Sequence, residues 1–238
     1  MIDIHSHILP CIDDGAKNLE KSIEMARMAV ADGTTAVIAT PHTCDGVFNS
    51  QKEDVLNGCR VLNDILDQEG INLEILPGQE IRLTPELLEL IDDDAVLTLN
   101  HSDHILIELP NLFISSHIPM IIREITHRDL VPVIAHPERN RHLMTHPDLM
   151  EDMLYMGARF QITAGSLTGV FGRNVKKYAT GLARNGWIHF VASDAHDTMN
   201  RSPIMSKGLR ILEQIARGNV LDSSTLIVTR IEQNRMPA

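Results

Sequence analysis

The chain has 238 residues, of which 43% are apolar and only 3% aromatic, so a single α/β domain with an aliphatic core is expected. A formal net charge of −11 argues against a general nucleic-acid binder. No run reaches the ~20 apolar residues of a membrane helix, and three cysteines make no disulfide framework of the secreted type.

Seven apolar segments read as strands: residues 2–4, 35–39, 73–76, 105–109, 131–135, 159–162 and 188–192. Most are near-continuous in apolar character, the pattern of parallel strands covered on both faces. Helical patterns lie between them. Asn18 is placed to cap a helix carrying Leu19, Ile23, Ala26 and Val30 on one face and stopping at Gly33. A second helix is expected over about residues 52–68, and Thr84-Pro85 reads as the cap and first residue of a short third. Residues 119–128, 147–156, 175–185 and 206–217 complete the set, with Gly157, Gly186 and Gly218 at their stops. The start lacks a basic, apolar leader, and residues 235–238 carry no anchor motif. A reducing cytoplasm is the expected location.

Unbroken strand–helix alternation gives a parallel sheet. No glycine fingerprint of a nucleotide fold follows the first strand, where His5-Ser6-His7 stands instead. Histidines and carboxylates recur at nearly every strand end: Asp13-Asp14, His42, Glu80, Glu108, His136, and Asp194 with His196. An open sheet gathers such residues from a few strands at a switch point, whereas a barrel gathers all of them at its mouth. The expected fold is therefore a seven-stranded (β/α) barrel in one domain, residues 1–238.

The alternation of an extended chain points His5 and His7 the same way, and the same spacing applies to Asp194 and His196. Glu108 lies inside an apolar run, where a carboxylate is costly to bury without a cation. Asp13-Asp14-Gly15 reads equally as a plain turn or as the source of one further ligand, with the choice of carboxylate open. These imidazole and carboxylate donors exceed what one ion needs, so two or three ions are expected. Mn, Fe, Zn and Co all suit such ligands.

The chain resembles the polymerase-and-histidinol-phosphatase (PHP) superfamily. Within it, the match narrows to the manganese-dependent protein-tyrosine phosphatases of bacterial capsule and exopolysaccharide regulation. The resemblance rests on Asp3-Ile4-His5-Ser6-His7-Ile8-Leu9-Pro10, Asp13-Asp14-Gly15-Ala16, Ala39-Thr40-Pro41-His42 and Leu76-Pro77-Gly78-Gln79-Glu80-Ile81-Arg82. It continues through Ile134-Ala135-His136-Pro137-Glu138-Arg139-Asn140, Gly165-Ser166-Leu167-Thr168-Gly169-Val170-Phe171-Gly172 and Phe190-Val191-Ala192-Ser193-Asp194-Ala195-His196. It implies a distorted seven-stranded TIM-like barrel of PHP type. It also implies one manganese ion on His5, His7, Glu80 and Asp194, and a second on Glu80, Glu108 and His136. A third would sit on Asp14, His42 and His196. Arg139 and Arg201 would contact phosphate, and His42 or His196 would be available as proton donor. The implied partner is the phosphotyrosine tail of a membrane-associated tyrosine kinase.

The expected chemistry is metal-assisted hydrolysis of a phosphate monoester. An acidic chain handling such a tail needs local basic charge, expected near Arg139, Arg141 and Arg201. Alternatives are a histidinol-phosphate type phosphatase of the same superfamily, or an amidohydrolase. The latter typically relies on a carboxylated lysine where this chain has Glu108. Cys11 stands where the family usually has glycine, which implies strain if that position has positive φ. Cys44, two residues past His42, reads as a small packed side chain, and no cysteine has the Cys-x5-Arg spacing of a thiol phosphatase.

Overall fold

The near-continuous apolar runs become buried parallel strands, and the amphipathic segments become helices laid over them. A computed structural model describes residues 1–110 and 118–218; the tail at 235–238 lies outside them. In chain order the elements are β1 (Ile2–Ser6), α1 (Leu19–Ala31), β2 (Ala36–Ala39), β3 (His42–Thr43), α2 (Lys52–Gln68), β4 (Glu74–Pro77), β5 (Glu80–Arg82), α3 (Leu87–Asp92), β6 (His104–Glu108) and α4 (Ile118–Thr126). There follow β7 (Val131–Ala135), α5 (Arg141–Thr145), α6 (Pro147–Tyr155), β8 (Arg159–Thr163), α7 (Ala164–Thr168), α8 (Arg173–Arg184), β9 (Phe190–Ala192) and α9 (Ser206–Gly218).

All seven expected strands form, but two are joined by short continuations at their C-terminal ends. The described strands make two parallel sheets, ordered β1-β2-β4 and β3-β5-β6-β7-β8-β9. Ala39 pairs with Pro77 and His42 with Glu80, so the register is unchanged across the break. The reason for the break lies in the sequence between. Pro41 has no N–H to give the ladder. Gly78 lets the second strand bend close, since a Cβ there would meet Ile38 Cγ2 at 2.8 Å.

The helix starts follow local chemistry. Asn18 Oδ1 accepts from the Lys21 amide at 2.9 Å, capping α1 as expected. The third helix begins at Leu87, later than Thr84-Pro85 implied, because residues 85–86 form a turn first. The sequence patterns did not single out the short helices α5 and α7, which are too brief to show a period.

Met25, Ala26 and Ala29 of α1 and Val55, Leu62 and Leu66 of α2 pack on Val37 and Ile75 of the first sheet. Each fully buried aliphatic side chain of this kind contributes roughly 1.5–3 kcal/mol. A larger cluster joins the second sheet to α3, α4 and α6–α9 around Phe160, Ile107 and Ile122. A third cluster joins both sheets: Ile4 and Ile38 from the first meet Leu106, Val133, Phe190 and Ala192 from the second.

The first and last strands also touch. Asp194 N–H donates to His5 O and His7 N–H donates to Ala195 O, both at 2.8 Å, around a parallel bridge between Ser6 and Ala195. Beneath that bridge the buried Asp3 carboxylate accepts from the Ser193 amide at 2.9 Å and from the Ser193 hydroxyl. Burial raises the Asp3 carboxyl to about 6 despite those donors.

Candidate active site

The strand ends deliver their polar residues to one place. β1 supplies His5 and, one residue beyond it, His7; β3 supplies His42, β5 Glu80 and β6 Glu108. His136 follows β7, Asp194 and His196 follow β9, and Asp14 comes from the loop after β1. All nine residues read from the sequence as ligands fall into four overlapping groups: His7–Asp14–His42–His196, His5–His7–Glu80, His5–His136–Asp194 and His42–Glu80–Glu108. Within each group the donor atoms lie within 4.8 Å of one another.

The contacts are close and crowded. His5 Nε2 and His7 Nε2 lie 3.2 Å apart, both facing Glu80 Oε2 at 3.2 and 3.3 Å. Asp194 Oδ1 stands 3.4 and 3.5 Å from the same two nitrogens. His136 Nε2 meets Glu80 Oε1 at 2.7 Å, and His42 Nδ1 lies 3.1 Å from Glu80 Oε2. Asp14 Oδ1 faces His196 Nε2 at 3.3 Å and His42 Nε2 at 3.6 Å.

Proximity alone does not satisfy these atoms. Glu80 Oε2, Glu108 Oε2, His42 Nδ1 and His196 Nε2 are buried without a well-formed hydrogen bond among the described residues. Buried polar atoms are almost always paired, so a convergent set of orphans needs an explanation. Cations held between the donors supply one, and mixed imidazole and carboxylate ligands suit first-row divalent metals.

Three of the imidazoles favour the neutral form. Burial pushes His136 and His196 down to about 4, aided by Arg139 and His7 respectively. It lowers His42 too. These imidazoles are neutral at pH 7, the form that ligates metal. Burial would raise Glu80, but His5 and His136 hold it well below the usual carboxylate range. Burial would likewise raise Asp194, yet Arg139 and His5 hold it well down. Burial and then Glu80 raise Glu108 to about 7, a like-charge crowding that a cation relieves. His5 and His7 move upward although burial opposes it, drawn by Glu80 and Asp194 for His5 and chiefly by Asp13 for His7.

Two residues reach the mouth by strained backbone. His136 has φ 33° and Asp194 φ 52°, both in the left-handed region. Alternation in an extended chain therefore does not explain why Asp194 and His196 converge; a left-handed turn at Asp194 does. Such conformations cost about 1–3 kcal/mol and persist where the surroundings over-determine them. Cys11, expected to be strained if φ were positive, has φ 61° and is exposed. Cys44 is half-buried beside Thr43, with φ 60°.

The Asp13-Asp14 ambiguity resolves into two positions. Asp14 joins His42 and His196. Asp13 Oδ2 accepts from His7 Nδ1 at 2.6 Å and from the His42 amide at 3.0 Å. Gly15 permits that turn, because a Cβ there would lie 2.1 Å from His7 O. Gln161, which the sequence reading passed over, holds His5 Nδ1 through Oε1 at 2.9 Å. Its signal was a polar residue between Phe160 and Ile162 in a buried strand.

Both expected arginines are present at the mouth. Arg139 and Arg201 donate to the two oxygens of Asp194, Arg201 at 2.7 Å to Oδ1. The Arg139 guanidinium lies 4.7 Å above the Phe171 ring. Its neighbour Glu138 is buried and accepts from Ser166 Oγ at 2.6 Å and the Thr163 amide at 2.9 Å. A third arginine, Arg82 at the end of the Leu76–Arg82 segment, pairs with Glu108 at 3.1 Å. Arg141 sits exposed at the start of α5, and no hydrogen bond or ion pair joins it to the cluster among the described residues.

An α/β fold of parallel strands with a cluster of donors that could hold metal and two arginines at the strand ends is the arrangement of a metallohydrolase. The family model for capsular polysaccharide synthesis proteins of the CpsB/CapC type matches residues 1–226, and the chain belongs to that family. It is 42% identical over 214 residues to the tyrosine-protein phosphatase YwqE of Bacillus subtilis, covering 90% of this chain and 84% of that protein. It is 30% identical over 217 residues to the tyrosine-protein phosphatase CpsB of Streptococcus pneumoniae, covering 89% of each. It superposes with a TM-score of 0.87 on a structure from work on YwqE and CpsB, described there as metal-dependent tyrosine phosphatases, covering 90% of this chain and 87% of that one at 42% identity.

Proposed function

We propose that this chain is a metal-dependent tyrosine-protein phosphatase of capsular polysaccharide synthesis. The observation that carries the reading is the convergence of nine imidazole and carboxylate side chains into four overlapping donor groups beside two arginines. His5, His7, Glu80 and Asp194 would hold one ion, Glu80, Glu108 and His136 a second, and Asp14, His42 and His196 a third. Manganese is the proposed metal, with Fe, Zn or Co as substitutes. When bound, such ions activate water as a nucleophile and offset negative charge on a phosphoryl group.

The chain's own groups do the rest. Arg139 and Arg201 present N–H donors of fixed geometry to phosphate oxygens. Phe171 beneath Arg139 limits where that guanidinium can swing. Asp13 and Gln161 orient His7 and His5 through their far ring nitrogens. His42 and His196, neutral and turned toward Asp14, serve better as ligands than as acids. A phenolate leaves readily, so the reaction depends little on a general acid.

The two sheets support one distorted barrel of seven strand paths. The unbroken register across Pro41 makes β2 and β3 one path, and β4 and β5 another. The Ser6–Ala195 bridge brings the last path back to the first. We read the chain as one domain. No helix among the described residues is long and apolar enough to cross a membrane, and we place the enzyme in the cytoplasm. Its proposed substrate is the phosphotyrosine tail of a bacterial membrane-associated tyrosine kinase.

The test is metal-stripped protein assayed with and without Mn²⁺ on a phosphotyrosine peptide, a phosphoserine peptide and histidinol phosphate. Manganese-restored turnover that favours phosphotyrosine is expected. Preference for histidinol phosphate would move the protein to small-molecule metabolism, and inactivity on all three would sink the phosphatase reading.

A further inference from the structure

The acidic balance of the whole chain conceals a basic sector. Residues 163–218 carry eight Lys or Arg against three Asp or Glu, whereas the full chain carries 21 against 32. Arg173, Lys176 and Lys177 on α8 and Lys207 on α9 are all exposed. Their side chains make no ion pair or hydrogen bond among the described residues. Arg173 precedes the two lysines by three and four positions, so the three share one face of α8.

That face adjoins the active site. A Cβ on Gly169 would lie 3.4 Å from Lys176 Cδ, so the lysine stem runs along the turn at 169–172. The same turn contributes Val170 and Phe171 to a cleft of about 230 Å³ whose other walls include Asn200, Arg201 and Lys207. No Asp or Glu among the described residues lines this cleft. Arg201 also donates to Asp194, so the cleft opens directly beside the metal-ligand cluster. Val170 stands 56% exposed at its rim, an apolar side chain set among free cations.

Unpaired exposed cations cost nothing in water but attract an anionic partner and fix its orientation. A small phosphate ester would fill the mouth and leave this sector unused. We infer that the cleft and the adjoining α8 face dock an acidic stretch of the substrate polypeptide next to its phosphotyrosine, an inference that rests on the tyrosine-phosphatase reading above. The apolar rim packs on the peptide's side chains, and Lys176, Lys177 and Lys207 meet its carboxylates.

The experiment compares the Mn²⁺-loaded wild type with the double variant Lys176→Glu/Lys207→Glu. Substrates are p-nitrophenyl phosphate and two phosphotyrosine peptides, one flanked by Asp and one by Lys. The wild type should favour the Asp-flanked peptide through KM. The variant should raise that KM roughly tenfold while kcat/KM on p-nitrophenyl phosphate stays within about twofold. The preference should vanish near 1 M salt, where the screening length is about 3 Å. Equal use of the two peptides by the wild type, or an unchanged preference in the variant, overturns the docking surface. Fluorescence anisotropy of a labelled, unphosphorylated acidic peptide reads the same surface without turnover. Binding that the variant loses supports the inference even if the enzyme proves inactive on phosphotyrosine. Binding of single-stranded RNA in place of the acidic peptide overturns it.

Discussion

The mouth and the polar layer just beneath it differ in backbone strain and in how their polar groups are tied. At the mouth, Glu80 Oε2, Glu108 Oε2, His42 Nδ1 and His196 Nε2 lack hydrogen-bond partners among the described residues, and His136 and Asp194 hold left-handed backbone. One layer down, Asp3 is tied to Ser193, Asp13 to His7 and the His42 amide, and Glu138 to Ser166 and the Thr163 amide. Unmet demand at the mouth lies where cations and phosphate would meet it, while beneath it Glu138 Oε2 and Gln161 Nε2 also lack a partner among the described residues. The hydrogen bonds of Asp3, Asp13, Glu138 and Gln161 help hold the mouth's geometry in place. A buried polar group is thus informative only together with its account of partners.

Substitutions in the two layers should separate these roles. Glu80 faces four histidines, so Glu80→Gln removes the carboxylate shared by most of the cluster. Activity should fall on the order of a thousandfold, with bound metal reduced when measured by mass spectrometry of the protein's metal content. Full metal loading and wild-type turnover would remove Glu80 from the site. Arg139→Ala acts on the other half of the mouth. A loss of about 10²–10³ in kcat with metal content intact is expected, and unchanged kinetics would exclude Arg139 from phosphate handling.

The supporting layer should respond more mildly and through affinity. Gln161→Leu leaves every ligand in place but frees the far nitrogen of His5. Metal affinity should weaken roughly 10–100-fold, with turnover recovering when Mn²⁺ is raised. A kcat loss that excess metal cannot restore would mean that Gln161 does more than orient His5.

The smallest effect belongs far from the mouth. His189 Nδ1 accepts from the Phe160 amide at 3.2 Å, and burial, then Arg159, lowers this imidazole to about 4. The unfolded chain binds its proton near pH 6.5 and the folded chain only near 4. Between those values the unfolded state holds more protons, so stability is complete above about 6.5 and falls as the pH drops toward 4. His189→Asn should flatten the decline of Tm across that window relative to wild type. Parallel curves would show that the histidine carries none of the acid sensitivity.

Much of this protein was legible in its sequence. Continuous apolar runs such as Val131–Ala135 mark buried parallel strands because nothing but burial on both faces favours them. The chain places a carboxylate or histidine at their ends, and parallel connections bring every such end to one side. The nine positions proposed as ligands are read from that geometry and from the resemblance. Other features depended on closure in three dimensions. Gln161 reaches His5 across 156 positions of sequence, and Glu138 reaches Ser166 and Thr163 from the turn that follows β7. The break of two strands at Pro41 and Gly78 depends on how closely their backbones approach, and the left-handed turn at Asp194 on how β9 meets β1. The pairing of α8 with the cleft beside Arg201 was likewise absent from any local pattern. Periodicity records which face of an element is buried; it carries no record of which distant side chain waits on the other side.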